Sequence, residues 1–230
     1  MDIHGLQKLT LLDFPGHTAC TVFLAGCDFR CPFCHNADLL DLGTAPAVTD
    51  DAALLDFLKK RQGLLDGVVF TGGEPLLSPG LPDLMKRIRE LGYLIKLDTN
   101  GNHPDRLKAV LEEGLADYVA MDIKNSPERY AGTCGVKSVD IGRINGSIRL
   151  LMETAPDYEF RTTVVNPLHG EESFAAIGPW IRGAKRYFLQ AFTDRDTVPF
   201  AGLKSPSKEE LQKYADIVRP YVSSVELRGV

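Results

Sequence analysis

Three of the five cysteines, Cys27, Cys31 and Cys34, fall within one short stretch of the chain. They form a C-x3-C-x2-C sequence directly after an apolar run at residues 19–24, which predicts a strand. Three thiolates on one loop can wrap a metal centre. An odd number of cysteines without a secretion signal argues against a disulfide framework. The sequence therefore predicts a metal site at the end of a strand.

Two metal centres compete for these thiols. With His35 they could form a closed Cys3His zinc site in a non-catalytic α/β module. However, the neighbours Cys34 and His35 seldom point at one ion, and zinc ligands usually come as two separated pairs. A 4Fe–4S cluster on three thiolates leaves one iron open for a substrate or cofactor. We favour the cluster over zinc, and expect Cys20 and Cys134 to be inert buried residues.

Glycines and charged residues mark the ends of other apolar runs. The sequence Thr71-Gly72-Gly73-Glu74-Pro75 follows one run, and two glycines let a backbone approach a ligand closely. Further along the chain are Asp98, Asp122 and Lys124, and Arg161 lies inside an apolar run, where its charge needs a partner. A plain turn, a helix cap and a simple ion pair are the alternative interpretations.

The elements that position these residues alternate between strand and helix. Beyond residues 19–24, strands are predicted at 68–70, 93–97, 118–123, 158–165, 186–191 and 222–227. Thr49, Pro82 and Pro104 mark the starts of three helices, and others are predicted at about 140–154, 171–182 and 207–218. This order indicates an α/β fold of parallel strands.

The number of units favours a partial (βα)6 TIM-like barrel over a doubly wound sheet, because a full eight-unit barrel needs about 250 residues. We expect a single domain over residues 1–230, with 1–18 outside the βα pattern. In either fold the active site lies at the carboxyl ends of the strands.

Composition restricts the class of protein. The chain has 230 residues, of which 44% are hydrophobic and 25% charged, which is typical of a globular protein. Its formal net charge of −5 makes nucleic acid a poor partner. No apolar run has the length of a membrane helix, and the N-terminus does not have the pattern of a signal peptide. We therefore expect a soluble, cytoplasmic protein without a membrane partner.

The three-cysteine sequence after a strand resembles the signature of the radical S-adenosylmethionine (SAM) superfamily. Within that superfamily, Cys34-His35-Asn36 and the segment Asp13-Phe14-Pro15-Gly16 are similar to the glycyl-radical-enzyme activating enzymes. The most similar groups are the activating proteins of anaerobic ribonucleoside-triphosphate reductase and of pyruvate formate-lyase.

This resemblance implies an oxidoreductase with one 4Fe–4S cluster on Cys27, Cys31 and Cys34. The enzyme would cleave SAM reductively to a 5′-deoxyadenosyl radical and generate a glycyl radical on a partner enzyme. Flavodoxin or ferredoxin would donate the electron. The cofactors carry the chemistry, so no side chain is assigned as a catalytic acid or base. A radical SAM enzyme acting on a small molecule, similar to deazaguanine synthases, is the alternative.

The resemblance also assigns the groups that bind the methionyl part of SAM. Gly72, Gly73 and Glu74 correspond to a motif that contacts the amino group, and Lys124 corresponds to a cation on the carboxylate. Asp98 would lie near the methionyl part, with a monovalent cation as a further possible cofactor.

Four other residues complete the expected site. Phe33 and His35 match positions that line the adenine slot, and Arg161 resembles an arginine that faces SAM. Asp122 would lie near the cation or Lys124. His169 has no assigned role and is expected at the surface.

Overall fold

The computed structural model describes residues 1–43 and 45–230. Within these residues the strands are β1 (Asp2–Ile3), β2 (Gly5–Thr10), β3 (Ala19–Leu24), β4 (Thr49–Asp50), β5 (Gly67–Gly72), β6 (Leu94–Thr99), β7 (Tyr118–Asp122), β8 (Tyr158–Val164), β9 (Arg186–Ala191) and β10 (Ser224–Arg228). The helices are α1 (Asp51–Lys59), α2 (Leu81–Glu90), α3 (Pro104–Glu112), α4 (Tyr130–Thr133), α5 (Ile141–Thr154), α6 (Glu171–Trp180) and α7 (Lys208–Val218).

Eight strands form one sheet in the order β10-β9-β8-β7-β6-β5-β3-β2. The pairs from β3 to β10 are all parallel, whereas β2 pairs antiparallel with β3. This sequential strand order confirms the expected α/β partial barrel. The doubly wound sheet, which was the alternative, is wrong. Strands β2 and β10 are the two edges of the sheet. Among the described residues no pairing joins these edges, so the barrel is open on one side.

The strands are buried because helices cover one face and the barrel interior covers the other. Val68 and Phe70 on β5 are fully buried in the large core that includes the helices, while Val69 belongs to a small inner cluster. Such strands read as continuous apolar runs.

The segment Asp13–Gly16 has a structural position at the amino end of the barrel. The Phe14 ring is buried in the inner cluster beside Tyr118. A Cβ atom on Gly67 would lie only 2.8 Å from that ring. Asp13 Oδ2 accepts a hydrogen bond from Thr21 Oγ1 at 2.6 Å. This segment therefore packs beneath the strands, at the end opposite to their carboxyl termini.

Helix boundaries agree with the capping signals, with one exception. Ser207 and Glu210 form a capping box at α7, as the sequence indicates. Thr49 was expected to cap α1, but it pairs with Ile3 in β4, and Asp50 accepts the capping hydrogen bond from Ala53 N at 2.8 Å. No helix in the described ranges is long and apolar enough to cross a membrane.

Candidate functional site

A cavity of about 280 Å³ lies at the carboxyl ends of the parallel strands. Of the twelve residues that the sequence predicts for the site, all except Glu74 line it. The lining residues are Cys27, Phe29, Cys31, Phe33, Cys34, His35, Asn36, Leu40, Thr71, Gly72, Gly73, Asp98, Thr99, Asn100, Asp122, Lys124, Arg161, Thr163 and Gln190. The fold thus brings together the ends of β3, β5, β6, β7, β8 and β9.

Main-chain hydrogen bonds fix the cysteine loop in place. Gly26 has a φ of +94°, which favours glycine, and turns the chain at the end of β3. Its N–H donates to Leu39 O at 2.8 Å. On the far side of the loop, the Arg30 guanidinium donates to Cys27 O at 2.6 Å and to Phe29 O at 2.9 Å. Most of these bonds leave the thiols unused, and Phe29 N also donates to Cys27 Sγ at 3.4 Å.

The three thiols differ in their surroundings. Burial raises the pKa of Cys27 to about 12 and also raises the pKa of Cys34. A hydrogen bond from Cys134 lowers the pKa of Cys31 to about 7. Because metal ligation requires thiolates, binding would release protons from this loop. In the part of the chain that the structure describes, no three Cys, His, Asp or Glu side chains are grouped closely enough to hold one metal ion.

The two glycines after β5 are required by close packing. Gly72 has a φ of +119°, and a Cβ atom there would lie 2.3 Å from Leu24 O. A Cβ atom on Gly73 would lie 2.2 Å from Gly26 O. Asn36 Nδ2 donates to Gly72 O at 3.0 Å. The Gly-Gly pair therefore joins the cysteine loop to β5, in addition to lining the cavity.

Glu74 lies behind the cavity wall, which differs from the expected contact with a SAM amino group. Its side chain is fully buried. The carboxylate accepts hydrogen bonds from Leu76 N at 3.1 Å, Thr99 Oγ1 at 2.9 Å and Asn100 N at 2.6 Å. Burial raises the pKa of Glu74 to about 7 despite these donors. Glu74 thus ties the end of β5 to the end of β6, and its effect on a ligand would be indirect.

Asp98, Asp122, Lys124 and Arg161 form one ionic network in the cavity wall. Arg161 Nη2 lies 3.1 Å from Asp98 Oδ2, and Arg161 Nε lies 2.5 Å from Asp122 Oδ1. Lys124 Nζ lies 2.8 Å from Asp122 Oδ2. Lys96, two residues before Asp98 on β6, forms a further ion pair with Asp98. Three cations and two carboxylates give the network a formal charge of +1. This excess suits a bound carboxylate group.

The same network sets the protonation of its acids. Burial by itself raises the pKa of Asp98 and Asp122, but the neighbouring cations outweigh it and hold both pKa values below the usual range. The carboxylates in turn raise the pKa of Lys124 and Arg161 well above their usual values, against the effect of burial. All four groups are therefore charged at neutral pH.

Aromatic rings border the side of the cavity at the cysteine loop. His35 stacks on Phe192 with ring centroids 5.6 Å apart and an angle of 4° between the planes. The ring nitrogen His35 Nε2 lies 2.7 Å from Thr193 O. Phe33 is buried and meets His169 edge to face at 6.4 Å. Phe33 and His35 thus present flat apolar surface near the thiols, as an adenine slot needs.

His169 is buried, so the expectation of a surface residue is wrong. Its Nδ1 accepts from Val165 N at 3.1 Å, which leaves Nε2–H to donate to Lys124 O at 2.8 Å. Burial lowers the pKa of His169. The neutral ring therefore fixes the main chain at Lys124 and does not line the cavity.

Sequence reasoning missed a polar cluster around Asp28. Its carboxylate accepts from Asn100 Nδ2 at 2.8 Å, from His103 Nε2 at 3.0 Å and from Asn102. Burial opposes ionisation of Asp28, yet these donors hold its pKa well below the usual range. The available signal was the polar run Asn100-Gly101-Asn102-His103 directly after β6. The cluster joins the cysteine loop to the end of β6.

This architecture and its cysteine site define a class of enzymes. The sequence profile of the radical SAM superfamily matches residues 21–172, about two thirds of the chain, including the cysteine loop and the ends of β5 to β8. The chain belongs to the radical SAM superfamily. Membership makes it an enzyme of the oxidoreductase type that uses a 4Fe–4S cluster and SAM. The alternative of a non-catalytic zinc module is therefore wrong.

Three named proteins are similar to this chain in sequence, one over nearly its whole length and two over about half of it. A protein of Methanocaldococcus jannaschii, provisionally named a glycyl-radical enzyme activating enzyme, is 29% identical over 235 residues, covering 99% of this chain and 96% of the relative. The pyruvate formate-lyase-activating enzyme of Clostridium pasteurianum is 34% identical, but covers 54% of this chain and 52% of itself. The 7-carboxy-7-deazaguanine synthase of Methanopyrus kandleri is 32% identical over 48% of this chain and 51% of itself.

Solved structures agree with the fold. TYW1 with a lysine-pyruvate adduct superposes with a TM-score of 0.64 at 16% identity, covering 89% of this chain and 74% of that protein. Streptococcus suis SuiB bound to S-adenosylmethionine gives 0.66 at 14% identity, covering 91% of this chain and 52% of SuiB. At such low identity these likenesses support the fold alone.

Proposed function

We propose that this enzyme is a glycyl-radical-enzyme activating enzyme. The observation that carries the proposal is a cavity lined both by three cysteines and by the Asp98–Arg161–Asp122–Lys124 network. A relative provisionally named as such an activating enzyme aligns with nearly the whole chain, whereas the deazaguanine synthase aligns with about half of it.

Cys27, Cys31 and Cys34 fit a 4Fe–4S cluster. All three line one cavity, and cysteine thiolates are the ligands that hold iron–sulfur clusters. The cluster, when bound and reduced, supplies the electron that cleaves SAM to methionine and a 5′-deoxyadenosyl radical. An electron carrier such as flavodoxin or ferredoxin would reduce it.

The remaining wall of the cavity fits SAM. Lys124 and Arg161 provide the positive charge for its carboxylate, and the glycine turn provides backbone carbonyls for its amino group. Phe33 and His35 provide flat surface for adenine. Asp98 and Asp122 are already paired with cations, so a monovalent cation is not part of the proposal.

The partner would present a glycine on a polypeptide, which needs more access than a small metabolite. The sheet has two unpaired edges, β2 and β10, and is open between them in the described residues. This opening is the route we propose for the glycine-bearing segment. Anaerobic ribonucleoside-triphosphate reductase and pyruvate formate-lyase are the first partners to test.

The test is carried out without oxygen. The reconstituted protein receives a reductant, SAM and, in turn, each glycyl radical enzyme of the same genome. We expect a doublet electron paramagnetic resonance (EPR) signal from one partner, with one 5′-deoxyadenosine formed per radical. A partner in which alanine replaces the target glycine is the control and should give no doublet.

A second candidate function is synthesis of a deazaguanine, favoured by the similarity of this chain to 7-carboxy-7-deazaguanine synthases. Formation of 7-carboxy-7-deazaguanine, without a doublet on any candidate protein, would overturn the activase proposal. The superfamily assignment would stand in that case.

A further inference from the structure

Asn100, the first residue after β6, reaches from the cavity wall to the cysteine loop. Its side chain is buried, and the residue lines the cavity. The amide nitrogen Asn100 Nδ2 lies 3.9 Å from Cys27 Sγ and donates to Asp28 Oδ1 at 2.8 Å. A residue 73 positions away in the chain therefore places an N–H group against the first of the three cysteines.

Hydrogen bonds at both ends of the amide fix its orientation. Asn100 Oδ1 accepts from Asn102 N at 2.9 Å, so the amide oxygen faces the turn after β6 and the nitrogen faces the cysteine loop. The backbone N–H of Asn100 donates to Glu74 Oε2 at 2.6 Å. The residue is therefore held through its main chain and through both polar atoms of its amide.

The available donors and acceptors decide the direction of the contact between Asn100 and Cys27. The amide nitrogen carries two hydrogens, and the bond to Asp28 uses one of them. A cysteine sulfur that binds iron is a thiolate and can only accept. The same sulfur already accepts from Phe29 N at 3.4 Å. The second hydrogen of the Asn100 amide is thus available to the Cys27 sulfur.

We propose that Asn100 donates a hydrogen bond to the Cys27 sulfur and thereby raises the reduction potential of the cluster. The reduced cluster carries one more negative charge than the oxidised cluster, and part of it resides on the ligand sulfurs. A donor to a sulfur stabilises the reduced form more, and such hydrogen bonds are among the factors that set cluster potentials. Asp28 is the positioning residue that holds the amide in place. This inference rests on the proposed ligation of the cluster by Cys27, but not on which partner the enzyme activates.

The experiment is an EPR-monitored redox titration of the anaerobically reconstituted protein without SAM or partner. Asn100→Leu removes the donor at similar side-chain volume, whereas Asn100→Ala removes it and leaves a void. We expect both variants to disfavour reduction by up to about tenfold, which lowers the potential by up to about 59 mV for a one-electron couple. Iron and sulfide contents should equal those of wild type in both.

Asn102→Leu is the matched control. The Asn102 amide also donates to the Asp28 carboxylate, but this residue does not line the cavity. The control variant takes a donor from the same carboxylate and should shift the potential by less than half as much as Asn100→Leu. Equal shifts in the two variants would overturn the proposal, because the effect would then come from the charge of Asp28.

Cys27→Ser separates this inference from the ligand assignment. If Cys27→Ser loses the cluster and Asn100→Leu has an unchanged potential, the role of Asn100 is overturned and the ligand assignment stands. A shift confined to Asn100→Ala would likewise overturn that role, since it would report solvent entry. A full cluster in Cys27→Ser would overturn the ligand assignment and this inference with it. Loss of iron from both Asn100 variants would show that Asn100 builds the loop, which would also overturn the proposal.

Discussion

Arg161 Nε lies 2.5 Å from Asp122 Oδ1, on neighbouring strands that place these two residues side by side in register. The same guanidinium reaches Asp98 on the other side. A buried arginine thus joins the ends of β6, β7 and β8. This arrangement holds the floor of the cavity in one geometry before any ligand binds.

Replacement of Arg161 should destabilise the fold as well as weaken SAM binding. Arg161→Met removes a positive charge that both Asp98 and Asp122 contact, so two buried carboxylates lose an ion-pair partner. Breaking a buried pair costs about 3–5 kcal/mol. The free energy of unfolding in urea measures this loss. The control is Arg87→Met, which breaks an exposed pair with Asp51 at 2.7 Å and should cost less than about 1 kcal/mol. Equal losses in the two variants would contradict the structural role of Arg161.

Lys124 should contribute directly to SAM affinity. Lys124→Met removes a charge-assisted hydrogen bond to the SAM carboxylate, worth about 1.5–3 kcal/mol. Binding measured by calorimetry on the cluster-loaded protein should weaken roughly ten- to a hundredfold. The exposed Lys137→Met should bind SAM as wild type does. Wild-type affinity in Lys124→Met with its cluster intact would show that the carboxylate lies elsewhere.

The apolar runs of the sequence predicted the sheet, because strands that are buried on both faces consist almost entirely of apolar residues. The predicted strands at 19–24 and 186–191 match β3 and β9 to the residue. Eleven of the twelve expected site residues line one cavity, because the carboxyl ends of parallel strands meet at one edge of the sheet.

Contacts between loops were not predictable in the same way. Asp28 and Asn100 are 72 positions apart, and nothing in their local sequence says that they meet. The burial of His169 and the hydrogen bond from Arg30 N to Cys134 O also join segments that are distant in the sequence, so the local sequence does not indicate them. The local sequence also does not indicate that the Glu74 carboxylate turns back onto Leu76 N, outside the cavity lining.

The cysteines should separate into ligands and non-ligands. Serine at Cys27, Cys31 or Cys34 removes a thiolate from the cavity, so each variant should lose most of its iron and sulfide after anaerobic reconstitution. Serine at Cys20 should leave both contents unchanged, because that thiol does not line the cavity. Full cluster content in Cys31→Ser would refute the ligand assignment.

His169 should make the protein less stable in mild acid. Burial lowers its pKa, so below about pH 6.5, the usual value, the unfolded chain takes up a proton that the folded ring resists. Stability from the neutral ring is thus complete above this pH and declines as the pH falls, by at most about 1.4 kcal/mol per pH unit. The cations Lys124 and Arg129 near the ring act in the same direction.

His169→Gln removes this titration, because the amide has no proton to gain. Its carbonyl can still accept from Val165 N, and its amide group can donate to Lys124 O. Urea unfolding of wild type and variant from pH 7.5 to pH 5 measures the difference. We expect the free energy of unfolding of wild type to fall relative to that of the variant as the pH falls, because only wild type must exclude or bury a protonated ring. A constant difference across this range would mean that the folded ring takes up its proton at the same pH as the unfolded chain, so that burial does not resist protonation.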